Sequence, residues 1–172
     1  MSMGYLNQPK SALFDEEGYI KSGDIGYYDA SGTVYYVERH KEVIKYGSRP
    51  ISGYHPHHYW SYEKCFFPCR YCNNHIAPTE IEDVLQTHPD VLEALVFGMK
   101  DPAVQERVSA VVVLKPGRRA EVEDIVQFVN DRVDADYKKL SGKVFFRSAL
   151  PRNTIGKLLR REMRDWADRQ AD

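Results

Sequence analysis

The stretch LVFGMKDPAVQERVSAVVVLKPG, residues 95–117, holds two apolar runs, Leu95 to Phe97 and Val108 to Leu114, with Asp101-Pro102 between them and Pro116-Gly117 closing the second. Short runs rich in β-branched residues and bounded by Pro and Gly predict β-strands. Upstream, Pro78 and Thr79 open a predicted helix. Thr79 and Glu82 have capping-box spacing, and Ile81, Val84 and Leu85 form one apolar face. Downstream, Val122, Ile125, Val126, Val129 and Val133 recur at helical spacing, and Val144 to Phe146 read as a third strand. Leu159, Met163, Trp166 and Ala167 stripe a last helix with an alternating-charge outer face. The order after residue 75 is thus α-β-β-α-β-α, which predicts an α+β fold with a short sheet flanked by helices.

Nearer the start, Tyr27 and Tyr28 precede Asp29-Ala30-Ser31-Gly32, and Val34 to Val37 follow it. Two short runs around a Gly-containing loop predict a β-hairpin.

With 172 residues the chain accommodates one ordinary core and a small appended unit, not a two-domain enzyme. A net charge of -1 and a hydrophobic fraction of 42% exclude a basic polyanion binder and an acidic disordered chain, so nucleic acid is not implied as a partner. No apolar h-region follows the N-terminus, and no stretch approaches the ~18–20 apolar residues that span a bilayer. The expectation is a soluble intracellular chain, cytoplasmic by default. An odd cysteine count in such a chain argues against a disulfide framework.

All three cysteines, Cys65, Cys69 and Cys72, fall in RPISGYHPHHYWSYEKCFFPCRYCN, residues 49–73, which differs in composition from its flanks. Their C-x₃-C-x₂-C spacing matches the cluster motif of radical S-adenosylmethionine enzymes. That chemistry needs a barrel of repeated β-α units, for which the chain has no room. Zinc held by these cysteines with His55, His57 or His58 satisfies a tetrahedral site, but the spacing fits no common zinc module. The favoured reading is no metal and a disordered or loosely packed insertion.

Three segments, SGDIGYYDASGTVYYVERHKEVIKYGS (22–48), HIAPTEIEDVL (75–85) and RNTIGKLLRREM (152–163), resemble the end of the acyl-adenylate-forming superfamily, in its luciferase and coumarate CoA ligase branch. The resemblance covers almost the whole chain except residues 49–73. It implies a remnant of the N-terminal AMP-binding domain over 1–38, a hinge and the start of the C-terminal domain over 39–48, an insertion over 49–73, and the C-terminal domain over 74–172. If residues 49–73 are removed, KYGS joins NHIAP without a gap relative to the family, and His75 stands where the family has Gln.

Five residues carry the implied chemistry. A carboxylate such as Asp24, in Ser-Gly-Asp, can accept from both hydroxyls of a cis-diol, and the family places this residue on the ribose of ATP or AMP. Arg39 offers a planar five-donor fork suited to ribose and phosphate oxygens, and its family counterpart also lies at the nucleotide. Lys41 stands at the family's hinge. Lys157, after Gly156 and at the start of the last helix, resembles the lysine that touches the substrate carboxylate and the α-phosphate as the acyl-adenylate forms. Lys45 resembles the second lysine, which serves the thioester-forming or oxidative half-reaction.

The run Lys138, Lys139, Leu140, Ser141, Gly142 resembles a basic loop near the CoA phosphates, with a solvated charge run as the bland alternative. The function implied is that of a C-terminal fragment of an ATP-dependent carboxylic acid–CoA ligase, using Mg-ATP and CoA and inactive alone. The alternatives are a non-catalytic module docking on a full-length paralogue and a zinc-binding module. Some relatives are peroxisomal, but this chain ends Arg-Gln-Ala-Asp rather than Ser-Lys-Leu.

Overall fold

The computed structural model describes residues 13–47 and 74–171. The expectations for the cysteine-bearing insertion, and for its metal alternatives, lie outside these residues. The described residues fall into two compact units, one ending at Lys41 and the other beginning at Glu42.

In the first unit, β1 (Asp24–Tyr28) and β2 (Val34–Arg39) pair antiparallel, as the sequence predicts. The connection is organised by one carboxylate: Asp29 Oδ1 accepts from the Ser31 amide at 2.8 Å, the Ser31 hydroxyl at 2.6 Å and the Thr33 amide at 3.1 Å. Its other oxygen accepts from the Tyr35 hydroxyl at 2.9 Å. The Ser31 and Tyr35 hydroxyls hold the Asp29 carboxyl down at about 2. Tyr27 and Tyr35 stack across the strands with centroids 4.9 Å apart. Both rings stay exposed, as do Tyr28, Val34 and Tyr36. Among the described residues no third strand joins this sheet.

The second unit is built on a hairpin of β5 (Val91–Asp101) and β6 (Gln105–Leu114), paired along their whole length. On the other edge of β6, β3 (Ile44–Tyr46) joins through Tyr46 opposite Gln105, and β7 (Val144–Phe146) joins in parallel opposite Ala110 to Val112. β4 (Asn74–Ile76) completes the five-stranded sheet beside β3. The short strands β3 and β4 were not read from the sequence.

Both faces of this sheet are covered, so alternate residues of β5 and β6 enter two separate cores. Ala94, Val96, Val108, Ala110 and Val112 pack with α1 (Pro78–Gln86) and α2 (Val122–Asn130), burying Ile81, Leu85, Ile125 and Val129. Leu95, Phe97, Met99, Val111 and Val113 pack with α3 (Arg160–Ala171) through Met163 and Ala167. Burial on both sides explains why these strands read as continuous apolar runs rather than as alternating ones.

One local expectation is corrected. Helix α1 begins with Pro78 after an extended Ala77, and Thr79 forms no capping box with Glu82. The Glu82 carboxylate is instead buried, accepting from the Val96 amide at 2.7 Å. A capping box does form at α2, between Glu121 and Asp124. No helix among the described residues is long and apolar enough to cross a membrane.

Candidate functional site

Lys157 does not open the last helix, as expected, but sits three residues ahead of it in a tight loop closed by a bridge between Arg152 and Leu158. Gly156 has φ +83°, a left-handed conformation that side chains with a Cβ disfavour. Asn153 Oδ1 accepts from the amides of Ile155 at 3.1 Å and Lys157 at 2.8 Å. Lys157 is exposed, and no ion pair among the described residues holds its ammonium.

Lys45 lies mid-strand on β3, directly opposite His75 on β4. Its amide donates to Glu106 Oε2 at 2.8 Å, which ties this position to β6. Its side chain is exposed and, like that of Lys157, enters no ion pair among the described residues. The structure therefore places one lysine on a strand and the other in a loop of the same unit, both exposed and with no ion pair among the described residues.

In the first unit, Asp24 opens β1 and faces Arg39 at the end of β2. Arg39 Nε pairs with Asp24 Oδ1 at 2.8 Å, so the two candidate nucleotide residues are already together. Glu38, only 5% exposed, accepts from the Arg39 amide at 2.9 Å through Oε1, while its Oε2 has no hydrogen-bond partner among the described residues. Lys41 is exposed and is the last residue of that unit.

The basic run is less free than its sequence suggests. Lys138 is 13% exposed and is clasped by Glu80 at 2.6 Å and Asp134 at 2.9 Å. Burial acts to lower its pKa, but these two carboxylates outweigh that and raise it. Lys139 pairs at 2.6 Å with Asp136, an exposed partner. Ser141 Oγ is buried without a partner among the described residues, and Gly142 abuts Ser109 so closely that a Cβ there would clash.

Residues 80–157 match the family model of the AMP-binding enzyme C-terminal domain. The chain is 34% identical over 160 residues to the luciferin 4-monooxygenase of Luciola mingrelica, covering 92% of this chain and 24% of that protein. It is 35% identical over 163 residues to the 4-coumarate–CoA ligase of Vanilla planifolia, covering 94% of this chain and 25% of that protein. The chain carries the C-terminal domain of the adenylate-forming superfamily.

The o-succinylbenzoate CoA synthetase of Bacillus subtilis, solved with its acyl-adenylate intermediate, superposes on this domain and its flank with a TM-score of 0.69 at 29% identity, over 95% of this chain and 28% of that one. The chain thus spans about a quarter of the length of the curated relatives it matches.

One cluster of this adenylate-forming domain escaped the sequence reading. Arg160, 17% exposed at the start of α3, donates to both oxygens of Glu82 and to the Val96 carbonyl, and its Nε pairs with Glu42 at 3.1 Å. One guanidinium joins α1, β5, α3 and the first residue of the second unit. A charged residue on the apolar face of α1, Glu82 beside Ile81 and Leu85, was the available signal for a buried cation partner.

Proposed function

We propose that the chain supplies the C-terminal part of an ATP-dependent carboxylic acid–CoA ligase. The observation that supports this most is the contrast among its lysines: within a domain of this superfamily, Lys157 and Lys45 present uncommitted ammonium groups, whereas Lys138 is consumed by two carboxylates. In the reaction, an oxygen of the substrate carboxylate attacks the α-phosphorus of ATP, the bond to the β-phosphate breaks, and pyrophosphate leaves. The thiolate of CoA then attacks the acyl carbonyl and AMP departs.

Lys157 contributes hydrogen bonds and positive charge to the carboxylate and the α-phosphate oxygens as negative charge redistributes in the first step. A preorganised donor of this kind is worth about 10²–10³ in rate. Lys45 serves the second step in the same manner. Asp24 accepts from the ribose hydroxyls, Arg39 donates to ribose or phosphate oxygens, and Lys41 serves as the polar hinge between the two steps. In the loop after α2, Lys139 meets the CoA phosphates, because the exposed Asp136 releases it more readily than Glu80 and Asp134 release Lys138, while Gly142 and the buried Ser141 hydroxyl shape the loop that carries it.

Magnesium would arrive on the phosphates of ATP. The described residues contain no group of three His, Cys, Asp or Glu that could hold it, so none is assigned to it. The chain alone is expected to show no ATP–pyrophosphate exchange. Mixed with a 4-coumarate–CoA ligase truncated before its own C-terminal domain, it should support both steps. Lys157→Ala should then lower pyrophosphate exchange by about 10²–10³-fold, and Lys45→Ala should spare exchange while lowering thioester formation. Exchange by the isolated chain, or unchanged rates in both variants, would refute this function.

A second reading, a non-catalytic module docked on a full-length paralogue, is favoured by the exposed tyrosines of β1 and β2 and by the unpartnered Glu38 oxygen. Stable co-purification with such a paralogue, together with failure of the mixing experiment, would select it.

A further inference from the structure

The loop that carries Lys157 is closed by its neighbours with unusual completeness. Besides accepting from the Ile155 and Lys157 amides, Asn153 donates its own amide to the Lys157 carbonyl at 2.9 Å, and its carbonyl accepts from Gly156 at 2.9 Å. Arg152 then spans outward: Nη1 donates to the Gly156 carbonyl at 2.8 Å, and Nη2 reaches Glu93 on β5, also at 2.8 Å. On the far side, Arg160 fixes the start of α3 to the Val96 carbonyl on the same strand. The backbone around Lys157 is therefore held to itself by one amide side chain and held to β5 at two points three residues apart. Ile155, 85% exposed, marks the tip of this loop.

We infer that Asn153 is a positioning residue for Lys157, with Arg152 securing the loop to the sheet; the functional meaning of this rests on Lys157 acting in adenylate formation. A lysine side chain is long and flexible, so the location of its ammonium depends on where its backbone starts. Misplacement of a catalytic group by about 1 Å can cost about 10²-fold in rate. Fixing the backbone origin through a neighbouring side chain leaves the ammonium free to reach its substrate without leaving the loop free to wander. The chemistry calls for a side-chain oxygen that accepts two amide protons at once, which Asn or Asp can supply and Ala or Leu cannot.

The test compares the ¹⁵N-labelled full chain with Asn153→Ala and Asn153→Asp, reading amide–water exchange at Ile155 and Lys157 by NMR. Asn153→Ala should accelerate exchange at both amides by about tenfold or more, the loss expected when a hydrogen bond of about 1.4 kcal/mol is removed. Asn153→Asp should restore protection to within about twofold of the parent, and the amides of β5 and β6 should not change in either variant. Parent-like exchange in Asn153→Ala, failure of Asn153→Asp to rescue, or loss of protection across β5 and β6 would each overturn the inference. These rates are read without nucleotide. They separate the positioning claim from the role of Lys157, which the Lys157→Ala exchange assay decides independently.

Discussion

The hairpin of β1 and β2 and the hairpin of β5 and β6 have comparably apolar strands, yet they reach opposite ends. The second is covered on both faces by helices, and its central residues are buried without a polar orphan among them. The first keeps four tyrosine rings of β1 and β2 and Val34 in solvent, while the Glu38 carboxylate is buried with one oxygen unpartnered among the described residues. A two-stranded sheet alone is marginal in water, because it offers too little surface to bury. What distinguishes the two hairpins is therefore the covering each one has, more than strand propensity.

That contrast can be broken most forcefully at the core. Phe97→Ala should cost about 3–5 kcal/mol of the second unit's stability by urea denaturation. Tyr35→Ala should change the same transition by less than about 0.5 kcal/mol. Equal effects would show that the two hairpins share one cooperative core.

Arg160→Met should cost about 3–5 kcal/mol, since it leaves the Glu82 carboxylate buried and unpaired. Adding Glu82→Leu to Arg160→Met should recover most of that loss. If the double variant is no better than the single, Arg160 contributes through Glu42 or the Val96 carbonyl instead.

The smallest expected effect sharpens the comparison from the other side. Asp29 titrates at about 2 in the folded chain, below an ordinary carboxyl near 4, because the Ser31 and then the Tyr35 hydroxyl donate to it. A lowered carboxyl pKa stabilises the turn above pH 4, and this contribution disappears as pH falls through about 2. The Ser31 and Thr33 amide signals should therefore shift between pH 4 and 2, and Asp29→Asn should remove that dependence.

Much of this fold was legible because period and punctuation agreed. Pro78, the valines of α2, and the runs flanking Asp101-Pro102 each marked an element that formed. What was illegible depended on distant partners. β3 and β4 are three residues each and carry no periodicity, and each is defined by pairing with the other across a long interval. Glu82 had the spacing of a cap but was claimed by Arg160, 78 residues away, and by the Val96 amide. The candidate lysines were legible as residues, but their availability was not. Lys138 and Lys157 look equally free in sequence, and only the folded positions of Glu80 and Asp134 separate them.

The pairing of Tyr46 with Asn74 has a consequence for how the gene can be edited. Tyr46 and Asn74 stand directly opposite each other at the ends of β3 and β4, so a connection as short as a hairpin turn can join the two strands. Gly47, already at φ +96°, is followed by Ser48, and Gly-Ser is a sequence suited to a two-residue type II′ turn. Excising residues 49–73 should leave that minimal turn and preserve the melting temperature of the second unit. Because loop-closure cost grows only about 0.6 kcal/mol per doubling of length, the same point should accept foreign inserts such as an epitope or a reporter peptide. A collapse of the thermal transition in the excised chain would show that residues 49–73 contribute structure to the domain.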